Sequence, residues 1–112
     1  MDRDRRGQWL RGVLEVCVLG ALARGESYGY EISQRLEASG LGTIAGGTLY
    51  PVLLRLERTG MVTATWRAGD GGPPRKYYRL STVGAATLRS AAEDWTAFAG
   101  SVNHIMGEVA AP

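Results

Sequence analysis

Cysteine, histidine and lysine are almost missing from this chain, and each scarcity removes a class of chemistry. Cys17 is the one cysteine among 112 residues, so no disulfide can form within the chain and no thiolate cluster can hold a metal. His104 is the one histidine. With no Cys/His/acid set at ligand spacing, no G-x-S-x-G elbow and no Walker loop, no metal, no cofactor and no catalytic site is expected, and enzymes are set aside. Long apolar runs are also lacking: Glu15 and Arg24 interrupt the most apolar stretch, which falls short of the ~18 uncharged residues of a bilayer span. The opening "MDRDRRGQW" has no signal-type apolar core, so a soluble protein in a reducing cytoplasm, with no membrane partner, is the expectation.

Arginine is abundant by contrast. It supplies 12 of the 13 basic residues, with a formal net charge of +2 and a pI near 9.0. Guanidinium groups favour planar, bidentate partners such as phosphates and guanine edges, which leans toward nucleic acid, although a solvated surface of mixed charge has the same composition. The length suits one domain with a single core.

From Gln8 to Ala23, the residues Trp9, Leu10, Val13, Leu14, Val16, Cys17, Val18, Leu19 and Leu22 cover most of a helical cylinder. Such a helix needs cover on nearly all sides, either from a second subunit or as the central helix of a monomer. Ser27 reads as the N-cap of a second helix reaching Ser39, with Tyr30, Ile32 and Leu36 pointing inward and Gly40 as its left-handed terminator. A third helix is predicted over Thr48–Thr59, ended by Gly60. Beyond it, "VTATWRA" alternates Val62, Ala64 and Trp66 against Thr63, Thr65 and Arg67, the period of a half-buried strand. "GDGGPP" makes a long turn and "RKYYRLS" the returning strand, with Tyr78 inward alongside Leu80 and Tyr77 outward. Ser81 or Thr82 then caps a last helix running to about Met106. Along it Leu88, Ala91, Trp95, Phe98, Val102, Ile105 and Val109 repeat at spacings of 3 and 4, a heptad seam for which a twofold dimer is the simplest partner.

Three helices and a hairpin make a mainly α (α+β) winged helix-turn-helix. Residues 1–81 form the DNA-binding part and residues 82–112 a C-terminal dimerisation helix, the whole compact with the N-terminal helix. On a helical wheel Leu49, Val52, Leu53 and Leu56 of the third helix cluster, while Thr48, Pro51, Arg55 and Arg58 lie opposite and Tyr50 lies at the flank. With Thr48 as N-cap, Pro51 falls in the first turn, where its missing N–H costs little. The candidate contacts to double-stranded DNA are therefore Thr48, Tyr50, Arg55 and Arg58, with Arg75, Lys76 and Tyr77 from the wing. Structural roles are also open to them: Thr48 as a cap only, Tyr50 closing the core, Arg55 and Arg58 paired with Glu57 or Glu37, and the wing tip as a solvated turn. Glu57 itself reads as the partner of Arg55, Arg58 or a neighbouring arginine.

The pieces "YGYEI" (Tyr28 to Ile32), "GTLYPVLLRLERTGMV" (Gly47 to Val62) and "RKYYRLSTVG" (Arg75 to Gly84), in this order and spacing, resemble the PadR family of bacterial transcriptional regulators, in its subclass with a short C-terminus. The resemblance implies a homodimer, usually a repressor, bound to a roughly palindromic operator and dimerised through the first and last helices. It also implies that Tyr50, the polar residues of the recognition helix and the basic wing meet DNA. Leu54 departs from the pattern, standing where many relatives carry a basic or polar residue; it either meets a thymine methyl or is merely exposed. The prolines of "PPRKYY" stand where further basic residues are common. Some relatives bind flat aromatic or phenolic compounds between subunits against a tryptophan of the last helix, a place that Trp95 holds here. A small-molecule slot lined by Trp95 and Phe98, with Trp9 or Val13 as its far wall, competes with plain dimer core as the reading of these side chains. Glu93 and Asp94 beside the slot would favour a cationic guest. A winged-helix module that binds protein instead of DNA is the alternative function, distinguished by a weak response to salt.

Overall fold

The structure, a computed structural model, describes residues 1–110, so the last two positions of the expected 82–112 segment lie outside the described residues. In chain order the elements are α1 (Arg3–Leu22), β1 (Ser27–Tyr28), α2 (Gly29–Leu36) running into a wide π-type turn (Glu37–Leu41), α3 (Gly46–Arg58), β2 (Val62–Arg67), β3 (Arg75–Leu80) and α4 (Thr82–Ala110). The strands form one antiparallel sheet in the order β1-β3-β2, with Ser27 opposite Tyr78 and Val62 opposite Leu80. This is a winged helix-turn-helix with one long helix added.

α1 begins at Arg3 rather than Gln8, because the Asp2 carboxylate accepts the Arg5 N–H at 2.9 Å and closes the first turn. Within one chain α1 is not covered on all sides: Leu14, Val18, Leu19 and Leu22 are buried, whereas Trp9 is exposed and Val13 and Val16 are half-buried. The buried stripe meets Ile32 and Leu36 of α2, Leu49, Val52, Leu53 and Leu56 of α3, and Val62 and Tyr78 of the sheet in a single core.

Two expectations for α2 are corrected. Ser27 does not cap it; Ser27 is a fully buried strand residue whose hydroxyl donates to Glu31 Oε1 at 2.5 Å, and the helix starts two residues later. A strand of two residues is too short to show a period in the sequence, so the sheet has one more strand than the hairpin reading gives. Tyr30 points outward and is 64% exposed. It precedes Ile32 by two positions, which puts it roughly 200° around the helix, where it cannot share that residue's face. Gly40 is left-handed (φ 104°) as expected, with one further residue of the turn beyond it.

α3 is corrected at its start. Ala45, with no side-chain cap bond, precedes the helix, and Thr48 lies inside the first turn with its N–H on the Ala45 carbonyl at 2.9 Å. Pro51 is consequently an interior residue, and the Gly47 carbonyl has no N–H to meet four residues on. Gly47 is solvent-exposed, so that oxygen is open to solvent. The C-terminus ends as the sequence indicates: Gly60 is left-handed (φ 76°), with Met61 N–H on the Leu56 carbonyl at 2.9 Å and Gly60 N–H on that of Glu57 at 3.2 Å.

Strand parity holds at Val62 and Tyr78, which are buried, and fails at Trp66, which is 68% exposed. Trp66 has the inward parity, but by the end of β2 the hairpin has run past the core. Ser81 proves to be the cap of α4: its hydroxyl accepts the Gly84 N–H at 2.9 Å and donates to the Gly60 carbonyl at 2.6 Å. α4 continues through Gly100 and Gly107 past Met106. Its first turns pack on the core through Gly84 and Leu88, whereas Trp95, Phe98, Val102, Ile105 and Val109 are 40–79% exposed in the single chain.

Gly84 packs α4 against Met61, the residue before β2, and any Cβ there would collide with the Met61 carbonyl oxygen. Gly84→Ala is expected to cost about 1–3 kcal/mol, read as a lowered urea midpoint with an unchanged slope. An unaltered midpoint would mean that the close approach contributes nothing.

Candidate nucleic-acid interface

Burial of Leu49, Val52, Leu53 and Leu56 fixes the rotation of α3. The stripe directed away from the core is Gly47, Pro51, Leu54 and Arg58, all exposed. The two flanks are occupied differently. Arg55 leans toward α1, its Nε 3.4 Å from Glu15 Oε1. Glu57 leans toward the wing and accepts from Lys76 Nζ at 2.8 Å. The acid of α3 therefore pairs with the lone lysine of the chain and not with an arginine, because β3 passes alongside that flank, a tertiary fact no spacing in the sequence contains. Arg58 forms no ion pair among the described residues.

Tyr50 crosses from α3 to α2. Its ring rests on Gly29, the first residue of α2, so closely that a Cβ at position 29 would meet the phenol oxygen at 2.6 Å. That contact explains the glycine of "YGYEI". Tyr50 then forms one wall of a cleft of about 340 Å³ between the helices and the wing, whose other walls include Trp66, Arg75, Lys76 and Tyr78.

The wing is held by cations lying on aromatic rings. The Arg75 guanidinium sits 4.5 Å above the Tyr28 ring, Arg67 sits 4.6 Å above Tyr77, and Lys76 Nζ is 5.9 Å from Trp66 and 5.6 Å from Tyr78. Tyr28 and Tyr77 meet edge to face at 5.4 Å, and Arg67 also contacts the Glu26 carboxylate. Each such contact contributes about 0.5–1 kcal/mol at an exposed site, so several together are needed to stiffen a two-stranded projection. The hydrogen bond to Glu57 raises the Lys76 pKa above the ordinary lysine value. Burial pushes the Tyr78 phenol and the Cys17 thiol up, leaving both uncharged at neutral pH.

The structure brings Tyr50, Arg75 and Lys76 around one cleft and sets Arg58 on the neighbouring ridge of α3. Thr48 shares the α1 flank with Arg55. Tyr77 lies on the other face of the sheet, half-buried against Tyr28 and Arg67, and the Arg75 guanidinium, stacked on Tyr28, shares that face at the edge of the cleft. Trp66 belongs to the cleft and was assigned inward by the sequence; its place at the far end of the strand, beside the turn residues, is the signal that separates it from the core. At the opposite end of the molecule the Trp95 and Phe98 rings are 6.2 Å apart and both exposed, Leu88 and Ala91 are half-buried, and His104 Nε2 is 3.2 Å from Glu108. Among the described residues, no three His, Cys, Asp or Glu side chains are grouped to hold a metal, and no helix is long and apolar enough to cross a membrane.

Residues 18–90 match the family model described as the transcriptional regulator PadR-like family. A transcriptional regulator of Mycobacterium tuberculosis is 33% identical over 81 residues, 72% of this chain and 74% of that one. The crystal structure of a PadR-like transcriptional regulator from Bacillus cereus superposes with a TM-score of 0.77 at 35% identity, over 88% of this chain and 96% of the other. Bacillus subtilis PadR in complex with operator DNA superposes with a TM-score of 0.63 at 28% identity, over 70% of this chain and 45% of that one. These relatives are regulators and not enzymes. The extent of the family match and the shared winged helix place this chain in the PadR-like family of transcriptional regulators.

Proposed function

We infer that this regulator acts in the cytoplasm as a homodimer on a roughly palindromic DNA operator, as a repressor, with α3 in the major groove and the wing alongside. The observation that carries the reading is the common placement of the α3 ridge and the cleft with Tyr50, Arg75 and Lys76. The structure of a relative bound to operator DNA supports it. Residues 1–81 would then contact DNA, and α4, in the 82–112 segment, would pair with its copy through Leu88, Ala91, Trp95, Phe98, Val102 and Ile105. The exposure of the last four in one chain, together with that of Trp9 on α1, leaves an apolar face in search of cover. Thr48 and Arg55 contribute phosphate contacts from their flank, and Tyr77 acts through the stacked wing face behind Arg67.

A planar aromatic or phenolic compound that enters between the two copies, against Trp95 and Phe98 with Trp9 and Val13 opposite, would relieve repression by altering how the two recognition helices are spaced. The exposed, tilted Trp95–Phe98 pair favours this second element.

Arg75→Ala combined with Lys76→Ala should weaken binding to every duplex and lower the slope of log affinity against log salt by about 1–2, measured by fluorescence anisotropy. A slope identical to that of the wild type would remove the wing from the contact. Glu57→Gln should act oppositely and strengthen non-specific binding, since it releases Lys76 and deletes a negative charge beside the groove.

Phe98→Asp should give a folded monomer in sedimentation velocity, with operator affinity reduced by at least ~10²-fold through loss of the second half-site contact. A variant that stays dimeric would sink the α4 pairing. For the ligand, quenching of tryptophan fluorescence by planar aromatic compounds should accompany release of DNA and should vanish in Trp95→Phe. A series of such compounds that neither quenches nor releases DNA would leave Trp95 as dimer core alone.

A further inference from the structure

We propose that Leu54 reads the 5-methyl group of a thymine in each half-site of the operator. The proposal rests on the DNA-binding reading above and adds a residue that sets sequence preference. Leu49, Leu53 and Leu56 of the same helix are at most 1% exposed, while Leu54 is 46% exposed at the middle of the outward ridge. Half-exposed leucines occur singly on many surfaces, so its neighbours decide the case. Gly47 and Pro51 precede it on the ridge and bring no side-chain donor, so between Gly47 and Arg58 the ridge offers no polar group to a base edge. The polar residues on either side of it lie on the two flanks and not on the ridge, Arg55 beside Glu15 and Glu57 beside Lys76.

Among the features by which the floor of the major groove distinguishes one base pair from another, the methyl group of thymine is the large apolar one, and the others are hydrogen-bond donors and acceptors. A leucine held at that floor leaves the N7 of a purine or the amino group of cytosine unpaired and excludes water from it. Against thymine it instead removes apolar surface from water on both partners. Arg58 lies one helical turn further along, about 6 Å, or roughly two base steps, so the thymine stands close to the base or phosphate that Arg58 takes.

The test begins with selection of binding sites from a randomised duplex pool by the wild-type dimer and by Leu54→Ala. Thymine in the selected site is then replaced, one position at a time, by uracil, which differs only by the methyl group. The wild type is expected to lose about three- to tenfold in affinity at one position in each half-site, and Leu54→Ala to bind thymine and uracil equally there. Leu54→Gln should move the preference at that position toward adenine, whose N6 and N7 an amide can pair. Thermal midpoints close to that of the wild type verify that these surface variants fold. Specific binding with uracil tolerated everywhere, or a methyl dependence that persists in Leu54→Ala, overturns the assignment while leaving the regulator intact. A wild-type dimer that selects no sequence and ignores duplex at low salt overturns both.

Discussion

The inward burial of Leu49, Leu53 and Leu56 is the constraint on which the rest of the molecule depends. Each of these side chains contributes about 1.5–3 kcal/mol by leaving water, and a rotation of α3 by one residue would carry all three toward solvent. No surface ion pair or ring contact in the structure approaches that sum, so α3 has one orientation and its outward ridge follows without choice. The side chains that face away, Pro51, Leu54 and Arg58, are displayed because the leucines are hidden. The same burial anchors α1 and α2, since Val18 and Ile32 close over those leucines from the other side.

Charge is handled locally. A net charge of +2 spread over 13 basic and 11 acidic residues is too small to steer the molecule as a whole, so its effect depends on where cations are fixed. Along the wing they are fixed by neutral or acidic partners inside the fold: Lys76 by Glu57, Arg75 by the Tyr28 ring, Arg67 by Tyr77 and Glu26. Each contact is worth little alone. What they supply is preorganisation, because a long side chain already held in position loses less conformational freedom when an anion arrives.

Periodic features were legible in the sequence and single contacts were not. The leucine stripe of α3, the hairpin parity at Val62 and Tyr78 and the glycine that ends α3 all repeat a local rule that a chain obeys wherever it folds. Ser27 was read as a helix cap because serine satisfies that rule too, but pairing with Tyr78 commits it to a strand and turns its hydroxyl to Glu31. Thr48 satisfies the same rule, but Gly46 and Gly47 before it join the helix and leave it inside the first turn. Tyr30 is exposed because two positions carry it to the far side of α2 from Ile32, and Trp66 because the core ends before β2 does. The pairing of Glu57 with Lys76 spans 19 residues of sequence and depends on how the hairpin folds back.

The long helix is tied directly to the end of α3. Ser81 ties the start of α4 to the Gly60 carbonyl, its own N–H bonds the Met61 carbonyl at 3.0 Å, and Gly84 lies directly against Met61. Gly60 and Met61 are in turn the residues whose N–H groups close the last turn of α3. A helix is stiff over this length, and the packing at Gly84 leaves no room for slippage. Any tilt of α4 about its exposed apolar face must therefore appear at the C-terminal end of α3. The geometry between two copies of α4 and the geometry of the surface that α3 presents are, in this fold, one variable.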